Sequence, residues 1–394
     1  MRKQKLGKLE KFDPNNKDHL DSTKYKIVEY EMTGRRPSSV EIVSDVKDDV
    51  FRRDITINSF LLDKDGNVID YFDGKKDIKN KVIKTVGIPT ERFSEDKLRL
   101  LRVVRFAAKL GFKIETQTKK AIQDMSGEIT KIAAERIRDE FIKAAGYGGK
   151  KFSKFIQILD DVNMLDKILP DFYKLKGMPH KESNHPEGCP YIHTLTALEY
   201  TNSKDPIVNL AILFHDVGKS VTLGFKNMDP NWPTYYQHET KGVKIFEKIA
   251  KTLKLDNKQR DIISFVIANH MRFHLIPEMK KGKVASLLKE PHFDILKTVC
   301  KSDWFSRGSE FKKKEYDEIE AVLKDVEKNI DKILKQPTKL VDGNDVMMWT
   351  GLKSGPELGK IINDASEWVL EQTAQGKTVS NDDIKAFVLK IFKK

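Results

Sequence analysis

From Ser94 onward the apolar residues of this chain change their period. In "SEDKLRLLRVVRFAAKLGF", residues 94–112, Leu98, Leu101, Val104 and Ala108 recur at helical spacing on one stripe. Upstream, "SVEIVSD" and "DITINSFLLD" alternate apolar with polar residues, the pattern of half-buried strands, and "KDGN" between Asp63 and Val68 reads as a hairpin turn into "VIDYFDG". Strands first and helices afterwards predict an α+β fold: a small antiparallel sheet up to about residue 84, then a mainly helical remainder. Ser94 is the expected N-cap of the first long helix and Gly111 its expected C-cap. Helical periodicity continues through "AAERIRDEFIKAAGYGG", where Gly146, Gly148 and Gly149 suggest a break near residue 150; a second helical block runs to about 335, and a basic tail follows.

With 394 residues the chain can bury two or three cores. A formal charge of +13 and a pI near 9.3 favour a polyanionic partner, nucleic acid or an acidic membrane surface. The start, "MRKQKLGKLEKFDPNN", lacks the apolar core of a secretory signal, and no run approaches the roughly 18 apolar residues that cross a bilayer. The expectation is a soluble, cytoplasmic protein without a membrane partner. Cys189 and Cys300 alone make neither a disulfide framework nor a cysteine zinc site.

The helix from Ser94 opens with Glu95 and Asp96 and then carries Arg99, Arg102 and Arg105. One reading is a solvated face with a Glu95–Arg99 pair at i,i+4. The other is chemical. A carboxylate accepts from an exocyclic amine while a guanidinium donates to a ring nitrogen beside it. Cytosine and adenine present that amine next to an acceptor, whereas uracil and guanine present a carbonyl there, so Asp96 and Arg99 would accept C and A and reject U and G.

Five segments occur in order: "GRRP" (34–37), "RRDITIN" (52–58), "DYFDG" (70–74), "EDKLRLLRVVRFAAKLGF" (95–112) and "AERIRDE" (134–140). From about residue 30 onward the series resembles the bacterial class of tRNA nucleotidyltransferases, the CCA-adding enzymes, and their poly(A) polymerase relatives. The resemblance implies part of a palm over residues 1–84, a helical neck with the nucleotide-reading helix over 85–150, a helical body over 151–335 and a tRNA-binding tail over 336–394. It implies addition of C, C and A to tRNA 3′ ends from CTP and ATP with Mg²⁺. Asp96 and Arg99 then match the base-reading pair. Arg52, Arg53, Asp54 and Asn58 match ribose and triphosphate contacts, and Arg102, Arg105, Arg136 and Arg138 match arginines near the nucleotide. Arg35 and Arg36, with Lys353 and Lys360 in the tail segment "GLKSGPELGKII", fall on RNA-binding positions; for the tail lysines a solvated helix face is the alternative.

The chain departs from that family at its beginning. Family members precede GRRP with a glycine-rich strand and two metal-binding aspartates separated by one residue; nothing before Gly34 matches this, and no Asp-x-Asp occurs upstream. Asp13, Asp18 and Asp21 are loosely spaced. Phosphoryl transfer needs carboxylates that hold Mg²⁺ between the attacking and leaving oxygens. The expectation is therefore a split or truncated enzyme whose metal-binding palm half comes from a second polypeptide.

A second constellation lies in the middle block: His193 in "HTLTALEY", the adjacent His215 and Asp216 in "FHDVGKS", then His238, His270 and, in "KSDWFSRG", Asp303. Imidazole and carboxylate suit a divalent transition metal or Mg²⁺ with open positions for phosphoester hydrolysis; a buried polar network is the alternative. The set resembles the HD phosphohydrolase domain. That resemblance makes His193, His215, Asp216 and Asp303 metal ligands, His215, Asp216 and Lys219 the catalytic groups, with His238 and His270 lining the site and His185 in support. His19, His180, His274 and His292 have no constellation, and Trp232, Trp304, Trp349 and Trp368 are read as core or partly buried anchors. Two rival functions stay open: an HD phosphoesterase acting on RNA ends or cyclic phosphates with nucleotide addition lost, and a non-catalytic tRNA-binding protein.

Overall fold

The computed structural model describes residues 27–33, 36–43, 50–63, 65–180, 188–307, 311–334, 341–374 and 377–392. Asp13, Asp18, His19, Asp21, Arg35 and His185 lie outside them, and of Arg36 only the backbone is described. The chain divides into two compact units: one runs to Tyr147 and resumes at Lys151–Pro170, the other holds Gly148–Lys150 and everything from Asp171.

In the first unit the strands come as separate pairs. β1 (Ile27–Thr33) and β2 (Arg36–Val43) are antiparallel, Tyr30 opposite Val40, with a register shift between Glu31 and Met32. β3 (Phe60–Leu62) and β4 (Val68–Asp70) form the expected hairpin, closed where the Asp63 carboxylate accepts from the N–H groups of Asp65 and Asn67 at 2.9 and 2.7 Å. Helix α1 (Gly74–Asn80) begins so close to the preceding turn that a Cβ on Gly74 would lie 2.4 Å from Thr56 O. β5 (Val82–Ile83) pairs with β6 (Lys113–Ile114) in parallel, a long-range match that alternation along one segment does not reveal. Among the described residues these ladders do not join into the single antiparallel sheet expected. The α+β class stands, with helix dominant.

The expected helix from Ser94 is two helices, α2 (Pro89–Glu95) and α3 (Leu98–Leu110). Ser94 is not a cap; it sits in the last turn of α2 with its Oγ donating to Thr90 O at 2.8 Å. The chain becomes extended at Asp96 (φ −141°, ψ 105°), whose carboxylate accepts from Leu98 N at 3.0 Å and so starts α3. Gly111 ends α3 in the left-handed region at φ 69°, as a C-cap glycine does. Leu98, Leu101, Val104 and Ala108 are buried as the stripe predicts, and Leu100, Val103 and Ala107 are buried too, so α3 is covered on more than one side. Helices α4 (Thr116–Asp124), α5 (Ala134–Ala145) and α6 (Gly149–Asp161) follow. Phe141 meets Phe155 edge-on at 5.1 Å in the core of this unit.

In the second unit, α7 (Pro190–Tyr200), α8 (Pro206–Phe214), α9 (His238–Thr252), α10 (Asn257–His274), α11 (Lys281–Leu288) and α12 (Phe293–Ser306) make a helical body. Helix α8, "PIVNLAILF", is buried from Val208 to Phe214 and delivers His215 at its end. After α13 (Phe311–Leu334), helices α14 (Gly343–Thr350), α15 (Pro356–Ala374) and α16 (Asn381–Phe392) close on a separate cluster of Val346, Ala365, Val369, Ile384 and Val388, with Trp368 stacked on Phe387 at 4.6 Å. No helix among the described residues is long and apolar enough to cross a membrane.

Candidate functional site

Two chemical sites stand out, one in each unit. In the first, Arg52, Arg53, Asp54, Asn58, Asp96, Leu98, Arg99, Arg102 and Arg136 line a cavity of about 390 Å³. The break between α2 and α3 places Asp96 at its edge. There Arg136 on α5 grips both carboxylate oxygens, at 3.1 and 2.7 Å. Arg99, in the first turn of α3, donates to Glu95 Oε2 at 2.5 Å, to Arg92 O at 3.0 Å and to Arg52 O at 2.6 Å. The Glu95–Arg99 pair is thus present, and it holds the guanidinium inside the cavity wall with only 15% exposure. Arg102 donates through Nε and its terminal nitrogen to Asp54 Oδ2, both at 2.7 Å.

The other two arginines expected near the nucleotide do not line this cavity. Arg105 is buried against Glu140 and the Tyr147 hydroxyl, and Arg138 pairs with Asp139 at 2.8 Å. Both cavity aspartates are therefore held by guanidinium groups. The cavity offers donors for phosphate and a base edge, and among the described residues no set of metal ligands gathers there.

The second site is built at helix ends. His193 comes from α7, His215 and Asp216 follow α8, His238 opens α9, His270 lies near the end of α10, and Asp303 lies on α12. All six are buried. Gly218 permits this convergence, since a Cβ there would lie 1.9 Å from His238 O. Backbone carbonyls fix three imidazoles: Nδ1 of His215 faces Ile212 O at 2.7 Å, that of His238 faces Tyr235 O at 2.8 Å, and that of His270 faces Ile267 O at 2.8 Å. A carbonyl only accepts, so each Nδ1 carries a proton and each Nε2 faces inward.

Two groups of possible ligands result, His193 with His215 and Asp303, and Asp216 with His238 and His270, the ligand atoms of each lying within 4.8 Å of one another. Asp216 serves both sides: Oδ2 is 3.4 Å from His215 Nε2, and Oδ1 is 3.2 Å from His238 Nε2. The Nε2 atoms of His238 and His270 face each other at 3.1 Å, a contact that neutral lone pairs tolerate only with a cation or proton between them. His215 Nε2 is buried without a hydrogen-bond partner in the described structure. An arrangement of this kind is suited to a divalent cation.

The electrostatics divide: burial opposes a charged His215, yet Asp216 and Asp303 raise it above its ordinary value. Burial would raise the Asp216 carboxyl, but Lys219, at 2.7 Å, and His215 hold it well below the usual range. Burial likewise opposes ionisation of Asp303, which Arg307, His193 and His274 overcome. Burial pushes His270 down to about 4, keeping it neutral as a ligand must be.

These features fit three family models: "Poly A polymerase head domain" over residues 4–84, "Probable RNA and SrmB- binding site of polymerase A" over 111–175, and "HD domain" over 184–332. The multifunctional CCA protein of Hahella chejuensis is 31% identical over 327 residues, covering 79% of this chain and 73% of the relative. The chain belongs to the multifunctional CCA protein family. The Vibrio campbellii member is 35% identical, over 64% of this chain and 60% of its own length, and that of Actinobacillus pleuropneumoniae serotype 5b is 33% identical, over 70% and 69%. In fold the chain is similar to the Bacillus stearothermophilus CCA-adding enzyme solved in complex with CTP, with a TM-score of 0.59 at 20% identity, over 90% of this chain and 77% of that one. The head-domain match begins at residue 4, upstream of the point near residue 30 where the motif series suggested the likeness starts.

The structure also corrects the reading of two histidines. His274, expected to stand alone, reaches Asp303 Oδ2 through Nε2 at 2.9 Å and stacks on Trp304 at 4.7 Å. His180 Nε2 lies 3.3 Å from Lys219 Nζ. His292 stays outside the cluster, edge-on to Phe265. Arg307, which donates to both oxygens of Asp303 at 2.9 and 2.8 Å, and Ser306, 3.1 Å from His193 Nδ1, escaped sequence reasoning altogether. Helical spacing held the signal: His274 follows His270 by four residues, and Arg307 follows Asp303 by four.

Proposed function

We propose that the arginine-lined cavity receives CTP and ATP during CCA addition to tRNA, and that the histidine cluster is a metal-dependent phosphohydrolase centre. The observation that carries the first reading is the placement of Asp96 and Arg99 together in a cavity whose other walls are arginines. Arg52, Arg53, Arg102 and Arg136 would neutralise the triphosphate while Asp96 and Arg99 read the amine and ring nitrogen of C or A. Arg136 would hand Asp96 to the base and take phosphate in exchange. Arg105 and Arg138 would act on the nucleotide only through neighbours, from the positions they hold here.

Mg²⁺ for nucleotidyl transfer does not fit the residues of this cavity, because its two aspartates are paired with arginines. The carboxylates that hold it belong in our reading to polypeptide outside these 394 residues. Arg35, Arg36, Lys353 and Lys360 are proposed RNA contacts; both tail lysines are exposed. The test is incorporation of labelled CTP and ATP into tRNA lacking its 3′ end. We expect none from this chain alone and incorporation once a polypeptide bearing glycine-rich strand and Asp-x-Asp is added; addition by the chain alone would refute the reading.

At the histidine cluster the residues do fit a metal. His193, His215, Asp216 and Asp303 would hold it, with His238 and His270 disposed for a second ion through Asp216. Bound there, a divalent transition metal or Mg²⁺ would supply a water of lowered pKa and polarise a phosphoester. Lys219 and Arg307, each on a ligand carboxylate, are the cations available to an incoming phosphate. Hydrolysis of 2′,3′-cyclic nucleotides by the metal-loaded protein, lost in Asp216→Ala, tests this second reading.

A further inference from the structure

Three imidazoles of the cluster are oriented by backbone carbonyls, and His193 is oriented differently. Its Nδ1 faces the hydroxyl of Ser306 at 3.1 Å. Ser306 stands at the end of α12, three residues beyond Asp303, and both it and His193 are buried, with 4% and 1% of their surfaces exposed. A hydroxyl can give a proton to an imidazole nitrogen or accept one from it, so by itself it leaves the tautomer of the ring open. The choice depends on where the hydroxyl's own proton goes.

That proton is committed. Ser306 Oγ lies 2.6 Å from Asp303 O, the carbonyl one turn earlier that a helical serine can reach. A carbonyl only accepts, so the hydroxyl donates to it and keeps only lone pairs for the ring. Nδ1 of His193 is then the donor to Ser306. His193 thereby reaches the same state as His215, His238 and His270, with a proton on Nδ1 and with Nε2 toward the cluster, 2.9 Å from Asp303 Oδ1 and 3.8 Å from Asp216 Oδ2. The two residues that Ser306 joins belong to one group of possible ligands. Asp303 therefore serves that group twice: its side chain offers a carboxylate, and its backbone, through Ser306, turns an imidazole carried by α7.

We propose that Ser306 is a positioning residue of the histidine cluster, doing for His193 what a backbone carbonyl does for the other three imidazoles. It acts through His193 and is not itself a ligand. Without its oxygen the Nδ1 proton loses its acceptor, and the ring is free to carry the proton on Nε2, where it blocks a metal. The inference rests on the metal-centre reading above.

The test compares metal-stripped wild type, Ser306→Ala, Ser306→Thr and Ser302→Ala. Ser302 lies one turn earlier on α12 and donates to Thr298 O at 3.1 Å, so its variant controls for the loss of any hydroxyl from that helix. The first reading is Zn²⁺ affinity by competition with a chromogenic chelator. Losing an outer partner of a metal-binding histidine weakens such sites about 10- to 100-fold, so Ser306→Ala should fall by that factor. Ser306→Thr should recover most of it, and Ser302→Ala should match the wild type. The second reading is the ¹⁵N spectrum of the histidine-labelled, metal-free protein, with the His193 signals assigned by their loss in His193→Gln. Nδ1 should be protonated in the wild type, and Ser306→Ala should move the proton toward Nε2. Equal Zn²⁺ affinity in wild type and Ser306→Ala, an equal loss in Ser306→Ala and Ser302→Ala, or an Nε2-protonated, Nδ1-free His193 in the wild type would each overturn the proposal. Should the wild type take up no Zn²⁺, the metal-centre reading fails on its own and the spectrum decides the role of Ser306: a His193 tautomer that changes in Ser306→Ala supports it, and one that stays the same overturns it.

Discussion

The arginine cavity and the histidine cluster both suit a phosphate, and they are built in opposite surroundings. In the cavity the Asp96–Arg136 pair reaches solvent, Arg136 keeping 45% of its surface and Asp96 29%, whereas Asp54, paired with Arg102, keeps 8%. The cluster's ligands keep 8% or less and come from five segments that no sequence window contains together. Exposed pairs exchange partners at little cost, which suits a pocket that opens its own ion pairs to admit a nucleotide. A buried set of imidazoles and carboxylates is costly to leave uncompensated; Lys219 and Arg307 offset part of that charge, and the arrangement suits a preformed metal centre. The contrast also locates what each site lacks. The cluster gathers its imidazoles and carboxylates within one unit, whereas the cavity's aspartates are already committed to arginines.

The largest expected effect comes from the cluster. Asp216→Ala removes the carboxylate shared by both ligand groups and strands Lys219, so metal content and phosphoester hydrolysis should both disappear while CTP affinity stays unchanged. Metal analysis alongside CTP calorimetry reads both, and a loss of CTP binding would break the separation between the two sites. Next, Glu140→Ala leaves the buried Arg105 without its carboxylate and should destabilise the unit that holds the cavity by about 3–5 kcal/mol. Denaturant unfolding followed there, with metal content unaltered, would confirm that Arg105 serves the core; little loss of stability would return it to the nucleotide.

Asp96→Ala has a smaller effect. It strips the acceptor from the exocyclic amine, and at about 1–3 kcal/mol for an unpaired group the preference for CTP over UTP should fall roughly 5- to 100-fold. Arg99→Ala should weaken CTP and ATP alike. Unchanged discrimination in competitive binding to Asp96→Ala would reduce that segment to the solvated pair it also contains.

How much of this the sequence disclosed depends on how far apart the contributing residues lie. The α+β order, the hairpin at Asp63 and the Gly111 stop follow from local period and turn chemistry. The break at Asp96 does not, because it depends on Arg136, 40 residues away, as well as on the neighbouring Leu98 N–H. The parallel β5–β6 pair spans an intervening helical stretch for the same reason. At the cluster the adjacent His215–Asp216 pair is conspicuous, and the resemblance adds six further positions around it. His274 and Arg307 were missed although each sits one turn from a named residue, since a helix face shows its function only once the facing helix is placed.

The smallest effect expected is in the tail. Lys353→Ala and Lys360→Ala should each lower the slope of log affinity for tRNA against log salt by about 0.7–0.9. A slope unchanged in both would make them solvated residues of no consequence to RNA.

The contrast itself is tested most directly by counting tightly held Mn²⁺ in the purified wild type and in Asp216→Ala by native mass spectrometry. Metal bound by the wild type and absent from Asp216→Ala is the result that a complete cluster and a metal-free arginine cavity require. Equal metal in both proteins, or none in the wild type, would contradict it.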